Sequence, residues 1–81
     1  MEYRDTLNVT REIISQVTGL SPEELDEDAS LAQDVGISSL ELMLIQSKVE
    51  KQFKTSFNVR ELRTVSSLRD YVELIRSHQH S

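Results

Sequence analysis

Apolar residues in this chain recur at steps of three and four and nowhere alternate in twos, which commits the chain to helices. Leu7, Thr10, Ile13, Ile14 and Val17 fall on one face of a helix expected over about 3–18, closed by Gly19 just past its end. Leu42, Ile45, Val49 and Phe53 make a second stripe over about 39–53, with Leu40, Met43, Leu44 and Ser47 round its side. Asn58 followed by Glu61 predicts the cap of a short third helix over about 59–63. Leu68, Tyr71, Val72 and Ile75 give a fourth over about 67–77, and the tail from Ser77 to Ser81 is expected to fray. The fold class is all-α: a small four-helix bundle with three longer helices, a short third one and a long first loop, forming a single domain over 1–81.

That first loop is not featureless. Ser21-Pro22-Glu23-Glu24 reads as a helix start of about one turn, and Leu20, Leu25, Leu31 and Val35 are spaced so as to pin the connection onto the bundle. The acidic cluster Glu23, Glu24, Asp26, Glu27 and Asp28 lacks the alternating ligands and central glycine of a calcium loop, and is read as a solvated acidic segment.

Eighty-one residues bury a limited core and leave no room for an enclosed active site beside it. With no cysteine, disulfides and thiolate metal sites are excluded, and any thiol chemistry must come from an added group. His78 and His80 stand in the expected mobile tail, where neither a metal site nor a serine-activating triad can be preorganised. The net charge of −5 is unevenly spread: residues 1–38 hold nine acids against Arg4 and Arg11, whereas residues 39–81 hold five acids against seven bases. No concentrated basic face exists to neutralise phosphates, so nucleic acid is not expected as a partner. The polar N-terminus and the lack of any membrane-length apolar run lead to the expectation of a cytoplasmic protein with no membrane partner, monomeric. Met1 and the short tail favour a free-standing chain.

The run Asp34-Val35-Gly36-Ile37-Ser38-Ser39-Leu40-Glu41 stands at the joint between loop and second helix. Ser38 and Glu41 have the spacing of a capping box, which makes Ser38 the cap and Ser39 the first helical residue. Gly36 permits a sharp turn or a close approach to the backbone. A phosphate ester on Ser39 would lie at the positive end of the helix dipole, near unpaired amides.

These residues resemble the modification site of acyl and peptidyl carrier proteins, Asp-Leu-Gly-Leu-Asp-Ser-Leu with 4′-phosphopantetheine on the serine. Asp34, Gly36, Ser39 and Leu40 match, and Val35 and Ile37 are apolar equivalents. Ser38 departs from the usual aspartate of fatty-acid carriers, a place where peptide-synthesis carriers often have histidine. The resemblance runs from about Thr6 to Ile75. It implies a non-catalytic carrier with Ser39 as the attachment point, modified by a phosphopantetheinyl transferase and serving acyl-loading, condensing or tailoring enzymes. It also implies an acyl chain folding back between the second and third helices, with Ile45, Val49, Leu62 and Leu68 as the expected lining.

Leu40, Glu41, Met43, Leu44, Ser47, Lys48 and Lys51 are the expected docking residues. Fatty-acid carriers look strongly acidic on this side, whereas Lys48 and Lys51 stand here, so a carrier of polyketide or other specialised biosynthesis is expected. Two alternatives are an aminoacyl or peptidyl carrier of nonribosomal peptide synthesis, and an unmodified helical domain that docks through Leu40, Met43 and Leu44.

Overall fold

A computed structural model describes residues 2–79. Helix α1 spans Tyr3–Thr18, α2 Ser39–Phe53, α3 Val59–Leu62 and α4 Leu68–Gln79, with a single 3-10 turn at Pro22–Glu24 in the first loop. Helix α1 packs along both α2 and α4, so it forms the back of the bundle.

The ends of these helices follow from local chemistry. Gly19 takes φ 82° and sends its N–H to the Ser15 carbonyl 2.8 Å away, closing α1 in the left-handed conformation that glycine adopts without steric cost. At α3, Asn58 Oδ1 accepts the Glu61 N–H at 2.7 Å and the Glu61 carboxylate accepts the Asn58 N–H at 3.1 Å. At α4 the Asp70 carboxylate accepts the amides of Ser66 and Ser67, both at 3.2 Å, and Ser67 Oγ accepts the Asp70 N–H in return. These amides, Ser66 first, hold the Asp70 carboxyl below its ordinary range.

Ile14, Ile45, Val49, Leu68, Val72 and Ile75 have no solvent exposure and meet at the centre. Each such side chain contributes about 1.5–3 kcal/mol by leaving water. Two threonines share this interior. Thr10 donates its hydroxyl to the Thr6 carbonyl at 2.7 Å and Thr6 to the Glu2 carbonyl at 3.2 Å, so neither is left unsatisfied.

The long first loop is pinned as the spacing of its leucines requires: Leu25 and Leu31 are buried, and Leu20 and Val35 pack against the core. Its acidic cluster is not merely solvated. Glu27 accepts the Tyr3 hydroxyl at 2.7 Å and approaches Arg69 at 3.4 Å, while Asp28 takes the Arg69 guanidinium at 2.8 Å. The Arg69 hydrogen bond holds the Asp28 carboxyl below its usual range, and burial, then Glu27, pushes the Tyr3 phenol up to about 12. Backbone bonds from Leu31 N–H to the Ser66 carbonyl (2.9 Å) and from Arg69 N–H to the Glu27 carbonyl (2.7 Å) complete the seam between loop and α4. The sequence reading missed this seam because its partners stand some 40 residues apart.

The tail also differs from expectation. Helix α4 continues to Gln79, and His78 is anchored instead of frayed. One ring nitrogen lies 2.6 Å from a Glu61 oxygen, the other 3.0 Å from Thr55 Oγ1, and the ring packs edge-on against Phe57. His80 and Ser81 lie outside the described residues.

Candidate modification site

The loop that delivers Ser39 is built from its own side chains. Asp34 accepts the Ser30 N–H on its carboxylate at 2.8 Å, and the amides of Asp34 and Val35 both bond the Ser30 carbonyl at 3.0 Å. Asp34 therefore shapes the turn. Gly36 then takes φ 78°, a conformation that side chains strain, and a Cβ there would meet open space. The constraint at Gly36 is one of backbone conformation alone. Ile37 follows, buried, with its N–H on the Leu31 carbonyl at 2.9 Å, and fixes where the helix begins.

Ser38 is the N-cap of α2. Its Oγ accepts the Glu41 N–H at 3.2 Å and the Glu41 carboxylate accepts the Ser38 N–H at 3.0 Å. The Ser38 hydroxyl is thereby engaged, and Ser39, the first residue of α2, presents its own to solvent. The amides of Ser39 and Leu40 belong to the first turn and have no carbonyl four residues back within the helix. The position therefore suits a phosphate ester: an exposed hydroxyl, amide donors close by, and the positive end of a fifteen-residue helix. His78, held by Glu61 and Thr55, is engaged elsewhere in the bundle, at α3 and the loop before it.

Beyond Ser39, α2 exposes Leu40 (67 %), Met43 (65 %) and Leu44 (49 %). Ser47, Lys48 and Lys51 are also exposed, and the two lysines line a shallow depression shared with Ile13 and Gln16 of α1. Glu41 differs from its neighbours because its carboxylate is committed to the cap. Leu42, expected in the core stripe, is 38 % exposed instead. Val59, at the start of α3, adds a further exposed apolar side chain that the sequence reading missed, since α3 is too short to show a stripe.

A cleft of about 300 Å³ opens between the first loop, α2 and α3. Of the four expected lining residues only Leu62 borders it, because Ile45, Val49 and Leu68 are sealed in the core. Leu31, Ile37, Leu42, Val65 and Tyr71 form the rest of its apolar wall. The displacement has a simple origin: the stripe that faces the core has no surface left for a cleft, which must form along its edge.

Comparison with known proteins agrees with this geometry. Residues 8–75 match the family model described as the phosphopantetheine attachment site. The chain is 36 % identical over 72 residues to the citrinin polyketide synthase of Monascus ruber, covering 89 % of this chain and 3 % of that protein. It is 32 % identical over 74 residues to a non-reducing polyketide synthase of Talaromyces marneffei, covering 91 % of this chain and again 3 % of the relative. The chain thus spans only a small fraction of the synthases it matches. An acyl carrier protein of Renibacterium salmoninarum is 32 % identical over 68 residues, with 84 % of each chain covered. No described helix is long and apolar enough to cross a membrane. The chain belongs to the acyl carrier protein family of phosphopantetheine-binding domains, which carry 4′-phosphopantetheine and are carriers, not catalysts.

Proposed function

We propose that Ser39 is the attachment point of 4′-phosphopantetheine and that the chain carries acyl intermediates of polyketide or other specialised biosynthesis. The observation that carries this reading is the division of labour between two adjacent serines, Ser38 engaged in the cap and Ser39 exposed beside it. In the attachment step the Ser39 oxygen bonds to the phosphorus of the pantetheine arm. The pyrophosphate bond of coenzyme A breaks, 3′,5′-adenosine bisphosphate leaves, and the serine proton passes to solvent. A phosphopantetheinyl transferase is the enzyme for that step. Once bound, the arm supplies a terminal thiol that holds cargo as a thioester.

The protein's own residues do the rest. Ser38, Gly36 and Ile37 fix the start of α2 so that Ser39 faces outward. Leu40, Met43 and Leu44 form an apolar surface that acyl-loading, condensing or tailoring enzymes grip in turn, with Lys48 and Lys51 beside it. Apolar anchors supply the hold, and the charges govern encounter and the rejection of wrong partners. The polyketide assignment is supported by the synthases among the relatives and by the two lysines. Intact-mass measurement after incubation with coenzyme A and a broad-specificity transferase tests the reading. The wild type and Ser38→Ala should each gain one phosphopantetheine, and Ser39→Ala none. A gain by Ser39→Ala that Ser38→Ala lacks would shift the site by one residue.

A further inference from the structure

Helix α2 carries two acids and two lysines, and only the acids are engaged. Glu41 is committed to the cap of its own helix, and Glu50 accepts the Phe57 N–H at 2.8 Å, which ties it to the loop before α3. Lys48 and Lys51 are exposed and form no ion pair among the described residues. Several other bases are committed: Arg69 to Asp28 and Glu27, Arg11 to the Leu25 carbonyl at 2.9 Å, and Arg76 over the Tyr3 ring. The two lysines stand three residues apart and so share one face of α2. Beside them a depression of about 240 Å³ lies between α2 and α1, lined also by Ile13, Gln16 and Gln52. The carboxamides of Gln16 and Gln52 are exposed and have no hydrogen-bond partner among the described residues. Glu12, one turn before Gln16 on α1, forms no ion pair with either lysine.

Two ammonium groups and two carboxamides, all able to donate, thus surround one small apolar spot at Ile13. What complements them is negative charge confined to a small area. An extended polyanion, such as nucleic acid or an anionic bilayer, would also meet the nine acids of residues 1–38, whereas a local group of carboxylates need not. The depression continues an exposed row of α2, in which Leu40, Leu44, Lys48 and Lys51 follow at steps of four, four and three. A protein that grips Leu44 therefore reaches the lysines without leaving that side of the helix. We propose that the depression between α1 and α2 is a docking site for an acidic segment of a partner protein. Its carboxylates pair with Lys48 and Lys51 and accept from Gln16 and Gln52. This rests on the acyl-carrier reading, extends the interface onto α1 and gives the partner's surface a chemical character. The exposed pairs serve encounter and the rejection of basic partners more than they serve holding.

The test titrates the unmodified chain with a short helical peptide that carries leucines along one edge and glutamates beside them. Counterparts with glutamine or lysine at each glutamate are compared with it. Nuclear magnetic resonance signals of Gln16, Lys48, Lys51 and Gln52 should move with the acidic peptide alone. Lys48→Gln combined with Lys51→Gln should weaken that binding about five-fold, the factor that two exposed ion pairs supply together. Gln16→Ala should weaken it about two-fold, the low end of what one hydrogen bond supplies. Arg60→Gln removes a charge from α3 and should leave it unchanged. An equal response to the glutamine peptide, an effect of Arg60→Gln as large as that of the lysine pair, or no effect of Gln16→Ala would each overturn the proposal. Tighter binding of the lysine peptide, of phosphatidylglycerol vesicles or of single-stranded DNA would overturn it as well. Attachment of phosphopantetheine is read separately by intact mass. Lost attachment with peptide binding intact counts against the Ser39 reading, and lost peptide binding with attachment intact counts against the docking site.

Discussion

Helices α2 and α4 are built from similar residues and treat them in opposite ways. Helix α4 buries Leu68, Tyr71, Val72 and Ile75 to within 1 % of full exclusion, and its remaining leucine, Leu74, packs partly against the core. Helix α2 buries only Ile45 and Val49 and exposes Leu40, Leu42, Met43 and Leu44. Both pack in one bundle, so the difference is not one of available core. Helix α4 turns its apolar face inward, whereas the first half of α2 keeps apolar surface in water at the place where the modified serine is proposed to stand. A small protein that leaves such a face uncovered beside a tether has a surface for partners to grip.

The comparison breaks first in the core. Ile45→Ala and Ile75→Ala should each cost about 2–5 kcal/mol in denaturant unfolding, since both side chains are fully buried. If Ile45→Ala were as mild as a surface change, α2 would have no true core face and the contrast with α4 would fail.

Ser38→Ala should cost about 1 kcal/mol by removing the cap, and Ser38→Asp should be nearly neutral, because aspartate caps equally well. With that motif closer to the fatty-acid type, modification by a fatty-acid-type transferase should quicken in Ser38→Asp. No gain in rate would remove Ser38 from transferase recognition.

Acid sharpens the contrast at the other ends of the bundle. The Asn58 amide, then His78, holds the Glu61 carboxyl below its ordinary value of 4.5, and the amides of Ser66 and Ser67 hold Asp70 below its ordinary 3.8. A depressed carboxyl contributes stability above its unfolded pKa and loses it as pH falls through the folded one. Thermal melts should therefore be flat above pH 4.5 for these groups and decline below it, and Glu61→Gln should flatten part of that decline. A decline that Glu61→Gln leaves untouched would mean that the Glu61 carboxylate, bonded to the Asn58 amide and to His78, contributes nothing to the acid sensitivity.

The smallest effect on stability should come from Leu44→Ala, within about 0.5 kcal/mol, as for surface substitutions generally. Its effect should appear instead as weaker transfer to a cognate partner enzyme. A sharp fall in melting temperature with transfer unchanged would make Leu44 a core residue and remove it from the docking face.

What the sequence disclosed, and what it hid, divides by distance along the chain. The bounds of α1 and α2, the boxes at Ser38–Glu41 and Asn58–Glu61 and the sideways position of Leu44 were legible because each depends on residues within about a turn. The anchoring of His78 was not, because its partners Thr55 and Glu61 are 23 and 17 residues away. Arg69 likewise finds Asp28 across 41 residues, which converted an acidic loop into a seam. The cleft was misplaced for a related reason. A period-based stripe identifies residues that face inward, and the deepest of these, Ile45, Val49 and Leu68, are too well packed to border a cleft. Leu42 and Tyr71 do border it, Leu42 from the exposed edge of the α2 stripe.

The central claim is that two neighbouring serines have separate tasks, one holding the helix and the other the tether. The most direct measurement is tandem mass spectrometry on the wild-type protein after transferase treatment, fragmenting the segment that spans Asp34 to Lys48. The account predicts a single phosphopantetheine, with fragment ions that place it on Ser39 and leave Ser38 unmodified. Fragments that carry the group on Ser38, or on both serines, would contradict it.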